Sequence, residues 1–240
     1  PRRSEHGDSD FHFQVKAAMA AAVDRAAALA PGARTMDPLD LLVRGGPLMV
    51  PILLGSVVGL AVTVARLLSL RARSVRPAGL AEEVAACAAS GDFEAALARC
   101  RTHASPLARV LAVALEHRGA PRAELKERVE EVGAREVSRL ERYVGLVGVI
   151  ASIEPLLGLL GTVTGMIGVF QGVVVDGVGD PATLASGIWS ALLTTAAGLG
   201  VGIPAFVSFR YLTALVDRRA EELEEAALAL LDRLGPERAA

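Results

Sequence analysis

The sequence predicts an all-α membrane protein, with three transmembrane helices and long helices that extend into a cytoplasmic helical domain. Its 240 residues are 52% hydrophobic and 4% aromatic, and the mean hydropathy is +0.43. This is more apolar than one soluble core of this size needs. Three apolar runs each reach the roughly 20 residues that cross a bilayer core. The polar segments between them show helical periodicity and no strand pattern.

The three apolar runs define the predicted organisation. The first covers residues 45–65 and stops at Arg66, the second covers 143–175 with Glu154 as its one charged residue, and the third covers 181–209 with none. The predicted segments are an uncertain N-terminal extension (1–35), transmembrane helices (45–66, 143–171, 185–210), a cytoplasmic helical domain (67–142), a periplasmic loop (172–184) and a cytoplasmic C-terminal helix (211–240).

Arginines collect beside one end of each apolar run, whereas residues 171–187 carry Asp176 and Asp180 and no basic residue. Short cytoplasmic flanks are enriched in Lys and Arg. We therefore expect a multi-pass protein of the bacterial inner membrane, with a periplasmic N-terminus and a cytoplasmic C-terminus. The arginines concerned are Arg66, Arg71, Arg73, Arg76, Arg135, Arg139, Arg142, Arg210, Arg218 and Arg219.

The polar segment after the first run predicts several short helices. A loop is expected at residues 74–79, and breaks are expected at 90–92, 105–106 and 119–121, where Gly, Pro, Ser and Asp interrupt the helical pattern. The last of these helices, from Arg122, is expected to run without interruption into the second transmembrane helix. The alternating charges of residues 217–234 predict a further long helix that projects from the membrane.

Residues 17–30 are rich in alanine but are interrupted by Asp24 and Arg25, so they lack the apolar core of a signal peptide. We expect Met36 to be the true start and the preceding residues to be a misplaced start or disordered. The alternative is an amphipathic periplasmic helix.

Several functional classes find no support in the sequence. The net charge is −2 and the basic residues are spread along the chain, which argues against nucleic-acid binding. The spacing of Cys87 and Cys100 indicates reduced structural thiols. Since we find no nucleophile and base constellation, metal-ligand cluster or phosphate-binding loop, we expect no enzyme, no cofactor and no metal.

Small residues recur with helical spacing in the second and third runs. Four glycines lie on one side of the second run, and two more lie in the third: Gly158, Gly161, Gly165, Gly168, Gly198 and Gly202. Glycine stripes let helix backbones approach closely, which drives helix packing in lipid. The sequence leaves open whether this packing lies within one chain or between neighbouring chains.

Glu154 is the most informative polar residue of the apolar runs. A carboxylate inside a bilayer costs a few kcal/mol, so it should face a cavity or a partner and often titrates as part of function. Pro155, the next residue, removes a backbone donor and is expected to kink the helix. The alternative is an ordinary charge near the cytoplasmic interface.

Two blocks carry a family resemblance: residues 155–170, PLLGLLGTVTGMIGVF, and residues 187–204, GIWSALLTTAAGLGVGIP. They resemble the signature blocks of the MotA/TolQ/ExbB proton channel family, and the three-span pattern is most similar to ExbB and TolQ. The resemblance implies a homo-oligomeric ring in the membrane lipid, typically a pentamer, around the single-span helices of an ExbD/TolR-type partner. In that family the partner's aspartate carries the proton, and a TonB-type rod is one of the possible recipients of the energy.

The resemblance also suggests residues of a proton pathway. Thr162 and Thr195 match the pore-facing threonines of the family, and Ser190 and Thr194 supply further hydroxyls. The sequence departs from the family at two positions, because Glu154 replaces a small residue and Ser190 stands where ExbB and TolQ usually have glutamate. If both positions border one lumen, the acidic group is retained there. Otherwise, coupling is altered or lost.

Two functions therefore stay open. The favoured one is the proton-conducting ring subunit of an energy-transducing motor, with Glu154 relaying protons or tuning the partner's aspartate. The alternative is a structural scaffold of the same family that assembles a ring and conducts nothing.

Overall fold

A computed structural model describes residues 45–177 and 181–234 of the chain. Within these ranges the chain forms eight helices and no strand. The helices are α1 (Met49–Ser69), α2 (Ala72–Val75), α3 (Leu80–Ala89), α4 (Phe93–Arg101), α5 (Pro106–Glu116), α6 (Arg122–Glu141), α7 (Val144–Asp176) and α8 (Pro181–Arg233). The predictions for residues 1–35 and Met36, for 178–180 of the loop and for 235–240 of the last helix lie outside the described residues.

The predicted all-α membrane fold is confirmed. Helices α1, α7 and α8 contain 21, 33 and 53 residues, and the described chain has three helical segments long and apolar enough to cross a membrane. Their large apolar side chains include many that are exposed, such as Val57 and Leu60 of α1 and Leu156 and Phe170 of α7. Lipid is the solvent that suits such surfaces.

The predicted helix breaks occur where turn and capping residues stand. Gly79 and Gly91 adopt positive φ angles of 81° and 80°, a conformation that glycine takes without steric cost. The Asp92 side chain accepts a hydrogen bond from the Ala95 amide at 3.0 Å and so caps α4. In the same way, Ser105 accepts one from the Ala108 amide at 3.2 Å and caps α5.

One prediction about helix continuity is wrong. Helix α6 ends at Glu141 and α7 begins at Val144, so the expected uninterrupted helix is broken. Arg142 has φ −52° and ψ 130°, and Tyr143 has a positive φ of 67°, so neither residue continues the helical hydrogen-bond ladder. The predicted loop at 74–79 is also shorter than expected, because α2 extends to Val75 and the Arg76 amide bonds to the Ala72 carbonyl at 2.7 Å.

Residues 55–152 and 205–234 belong to one compact unit, here called the helical-domain unit. Leu107, Leu111 and Leu115 of α5 are almost fully buried, at successive turns along one helix face. Around them lie further buried side chains from α3, α6 and α8, including Val84, Val129, Leu223 and Leu230. The apolar stripe of α5 therefore forms the centre of this core.

Two polar groups, one buried and one partly buried, link helices in the same unit. The carboxylate of Glu136 is 3% exposed and pairs with the guanidinium groups of Arg109 on α5 and Arg139 on α6. The Arg219 Nε of α8 donates to the Leu70 carbonyl, just after α1, at 3.1 Å, and its Nη1 bonds both oxygens of Glu222. Arg219 thus satisfies a carbonyl at the C-terminus of α1, where cations are favoured.

Candidate functional site

The candidate site lies where α7 and α8 pack together, in a second unit formed by residues 45–54, 153–177 and 181–204, here called the paired-span unit. The two helices run antiparallel. Gly158 lies opposite Thr194 and Thr195, while Gly165 lies opposite Ala191. Both contacting faces consist of small residues.

The helix backbones approach most closely at Gly198 of α8. A Cβ atom on Gly198 would lie 2.5 Å from the Glu154 carbonyl oxygen and 2.9 Å from the Gly158 Cα. On α7, a Cβ on Gly158 would lie 3.0 Å from the Thr195 Cα, and one on Gly161 would overlap the Thr194 side chain. Because the opposing atoms at Gly158 and Gly198 are backbone, only glycine fits there without separating the helices.

The structure differs from the glycine prediction at one end of the stripe. Gly165 packs against Ala191, but a Cβ on Gly168 would meet no atom of the described residues within 4 Å, so Gly168 makes no such close contact with α8. A Cβ on Gly187 would instead overlap the side chain of Val169. Gly187 and Ala191 were not singled out from the sequence, although their spacing to Gly198 marks the same helix face. Gly202, four residues after Gly198 on α8, is buried.

Glu154 lies on the small-residue face of α7, one turn before Gly158. Its side chain is 2% exposed, and its Oε2 has no hydrogen-bond partner among the described residues. Glu154 follows the first residue of α7 by ten positions, a rise of about 15 Å along the helix.

The hydroxyl groups predicted for the site are distributed along the α7 and α8 pair. Thr195 Oγ1 donates to the Gly158 carbonyl at 2.7 Å and thereby bridges the two helices. Thr194 is 2% exposed, and its Oγ1 contacts the carbonyls of Gly45 and Ser190 at 2.9 and 3.0 Å. Thr162 Oγ1 donates to the Leu159 carbonyl at 2.7 Å within α7. The hydroxyls of Thr194 and Thr195 therefore contribute to packing as well as polarity.

Glu154 and Ser190 are not brought together. Glu154 is level with Gly198, whereas Ser190 precedes Ala191, which is opposite Gly165. Along α8, Ser190 and Gly198 are eight residues apart, a rise of about 12 Å. Ser190 is half-buried in the wall of a groove of about 560 Å³ that also includes Gly165, Gly168 and Thr183. The acidic group of this chain therefore occupies a different level from the position at which ExbB and TolQ usually have glutamate.

Comparisons with known proteins support the resemblance. The sequence model of the MotA/TolQ/ExbB proton channel family matches residues 102–225. The chain is 33% identical over 188 residues to the putative biopolymer transport protein ExbB-like 1 of Synechocystis, a match that covers 76% of this chain and 73% of the relative.

Two further relatives match over shorter regions. The putative biopolymer transport protein ExbB homolog of Methanothermobacter thermautotrophicus is 33% identical over 129 residues, which cover 54% of this chain and 46% of the relative. The Tol-Pal system protein TolQ of Pseudomonas aeruginosa is 36% identical over 81 residues, covering 34% of this chain and 35% of that protein. In both cases the match spans less than half of the relative.

The family match covers α5, α6, α7 and α8 as far as Glu225, and so includes the closely packed segments of α7 and α8. It agrees with the three apolar helical segments and with the glycine-lined helix pair. On this evidence, the chain belongs to the MotA/TolQ/ExbB proton channel family.

Proposed function

We propose that this protein is the proton-conducting ring subunit of an ExbB/TolQ-type energy-transducing motor. It would couple the proton motive force to work through an ExbD/TolR-type single-span partner. The observation that carries the proposal is the buried carboxylate of Glu154 on the tightly packed face of α7, one oxygen of which has no hydrogen-bond partner in the described part of the chain. Family membership supplies the chemical context in which such a group would act.

The energetic argument begins with the cost of Glu154. An ionised carboxylate within a membrane costs a few kcal/mol, and a buried acceptor without a partner costs a further 1–3 kcal/mol in typical proteins, as order-of-magnitude values. A carboxylate can exchange a proton, and it can also accept a hydrogen bond from an incoming partner. Either event would offset the cost, which is why an intramembrane carboxylate is favoured as a functional group over a structural one.

Threonine and serine hydroxyl groups lie at successive positions along the α7 and α8 pair, beginning near Glu154. Thr195 lies opposite Gly158, one turn from Glu154, and Thr194 lies opposite Gly161, about one turn farther. Ser190 follows at the wall of the groove. The hydroxyl oxygens of Thr194 and Thr195 retain acceptor capacity while their protons are donated to carbonyls. We propose that Glu154, Thr195, Thr194, Thr162 and Ser190 line a proton pathway completed by water and the partner helix.

The proposed assembly is a homo-oligomer in the bacterial inner membrane, with five chains as in the typical family ring. The exposed apolar faces of α7 and α8 and the groove beside Gly168 are surfaces that neighbouring helices would cover. The arginine distribution supports a periplasmic N-terminus and a cytoplasmic C-terminus. A TonB-type rod is one possible recipient of the transmitted energy.

The alternative function is a scaffold of the same family that assembles but does not conduct. It is favoured by one observation, the presence of Ser190 where ExbB and TolQ usually have glutamate, together with its separation of about 12 Å from the level of Glu154. In this alternative, Glu154 would serve helix packing or partner binding.

Proton flux into vesicles that contain both the ring and its single-span partner distinguishes the two functions. Glu154→Gln should assemble normally but lose partner-dependent flux, because glutamine keeps the shape of the side chain and cannot exchange the carboxyl proton. Glu141→Gln makes the same chemical change at an exposed position and should conduct like the wild type.

The two ways in which the proposal could fail are separable. A wild-type ring that binds its partner but gives no flux would favour the scaffold. Flux that persists unchanged in Glu154→Gln would instead retain the motor function and remove Glu154 from its pathway.

A further inference from the structure

Two arginines converge on one tyrosine at the break between α6 and α7. The guanidinium carbon of Arg66, from the end of α1, lies 5.3 Å from the centroid of the Tyr143 ring. That of Arg142 lies 4.8 Å from the same centroid. We propose that Arg66, Arg142 and Tyr143, here called the Tyr143 site, bind the phosphate of an anionic phospholipid headgroup. This inference does not depend on proton conduction.

The charge of the Tyr143 site is uncompensated within the described residues. Other arginines of the same unit, including Arg128 and Arg135 of α6, form ion pairs with carboxylates one turn away. Neither Arg66 nor Arg142 makes such a pair in the described part of the chain, and neither pairs with Glu141, the residue next to Arg142. Two guanidinium groups held close together repel each other unless an anion lies between or beside them.

The chemistry of these groups matches a phosphodiester. A guanidinium presents a planar fork of N–H donors that suits phosphate oxygens, and stacking on an aromatic ring leaves its in-plane donors available. Contact with the Tyr143 ring therefore orients the two cations without using their hydrogen-bonding capacity. The donors remain available for an incoming anion.

The location of the Tyr143 site selects lipid as the source of that anion. Arg66 is the first charged residue after the apolar run of α1, and Arg142 is the last before the apolar run of α7. Both cations therefore stand at the end of a hydrocarbon-spanning segment, where headgroup phosphates lie. Tyrosine is also enriched at this boundary. Paired positive charges favour anionic headgroups over zwitterionic ones.

The local backbone presents the ring outward. Tyr143 has a φ of 67°, which bulky residues rarely adopt, and its side chain remains 48% exposed. Such an outlier is a reason to look for function at the residue concerned. Here, the left-handed conformation ends one helix, starts the next and leaves the aromatic platform at the protein surface.

Native mass spectrometry of the purified full chain tests the site with phosphatidylglycerol and phosphatidylcholine as probes. The wild type should retain phosphatidylglycerol in preference to phosphatidylcholine. Arg66→Gln with Arg142→Gln should weaken phosphatidylglycerol binding about thirtyfold, and either single change should weaken it about fivefold. The matched control, Arg128→Gln with Arg135→Gln, removes the same charge from paired positions on α6 and should bind like the wild type.

The ring is tested separately, with both charges kept. Tyr143→Leu should weaken phosphatidylglycerol binding several-fold, whereas Tyr143→Phe should retain it because the stacking surface remains. These variants also provide the test if the double glutamine variant fails to fold. Equal retention of phosphatidylcholine, equal loss in the α6 control, or displacement of the lipid by excess inorganic phosphate would each overturn the proposal.

Discussion

A single methyl group at Gly198 should separate helices α7 and α8. The Cβ of Gly198→Ala would lie 2.5 Å from the Glu154 carbonyl oxygen and 3.0 Å from the Gly158 amide nitrogen. All the nearest atoms belong to the backbone of α7, so no side-chain rotation can relieve the overlap. Restoring ordinary contact requires a local separation of about 1 Å, which sacrifices close packing along the pair.

Gly200 provides a matched control on the same helix. A Cβ at Gly200 would meet nothing within 4 Å, and this residue is exposed. Overpacking of a close contact costs about 1–3 kcal/mol, whereas Gly→Ala in an open helical position is neutral or stabilising by up to about 1 kcal/mol. We therefore expect Gly198→Ala to be less stable than Gly200→Ala by about 1–4 kcal/mol.

Equilibrium unfolding in mixed micelles with increasing dodecyl sulfate measures this difference. The midpoint of Gly198→Ala should fall, and that of Gly200→Ala should match or exceed the wild type. Equal midpoints for the two variants would refute the inference that the backbone approach at Gly198 holds the helices together.

Two further predictions concern the helical-domain unit. Arg109→Gln should destabilise the fold by about 2–3 kcal/mol, because it leaves the 3%-exposed carboxylate of Glu136 with only part of its positive charge compensation. Glu136→Gln should destabilise it by about 1 kcal/mol, because the Arg109 side chain is 42% exposed and can regain water. Chemical denaturation would contradict this account if the order were reversed. Burial, with a smaller contribution from Glu116, raises the pKa of Cys100 to about 11 from an ordinary value of 9.0. In a Cys87→Ser background, alkylation of native Cys100 should therefore be slow at pH 8 and accelerate about tenfold per pH unit up to pH 10. The contribution of the protonated Cys100 thiol to folding stability, present below pH 9, should decline between pH 9 and about 11. A rate that levels off below pH 9 would contradict the raised pKa.

The helices were predictable from the sequence where local chemistry determines them. Apolar runs longer than a membrane crossing predict the long helices, and Gly91 and Pro106 predict helix ends, without any tertiary information. The break at Arg142 and Tyr143 carries no glycine or proline. It is associated with contacts of Tyr143 with Arg66, a residue far away in sequence, so no local pattern could indicate it.

The candidate site was predictable in its residue types but not in its register. Helical spacing identified the common face of Gly158, Gly161 and Gly165, and this face indeed packs against α8. Spacing cannot show where two helices diverge, which is why Gly168 shares the pattern without the contact. The distance between Glu154 and Ser190 also depends on which residues of α7 lie opposite which residues of α8. A single sequence does not specify that register.

The length of α8 sets a distance that is useful for locating soluble partners. The helix continues for 23 residues from Arg210, at the end of its apolar run, to Arg233. At about 1.5 Å per residue, its final turn lies about 35 Å along the helix axis from Arg210. This exceeds the Debye length of about 8 Å at physiological ionic strength several times over. Salt therefore screens the charges of the last turns from the charge of Arg210, and recognition at the last turns is governed by their own side chains.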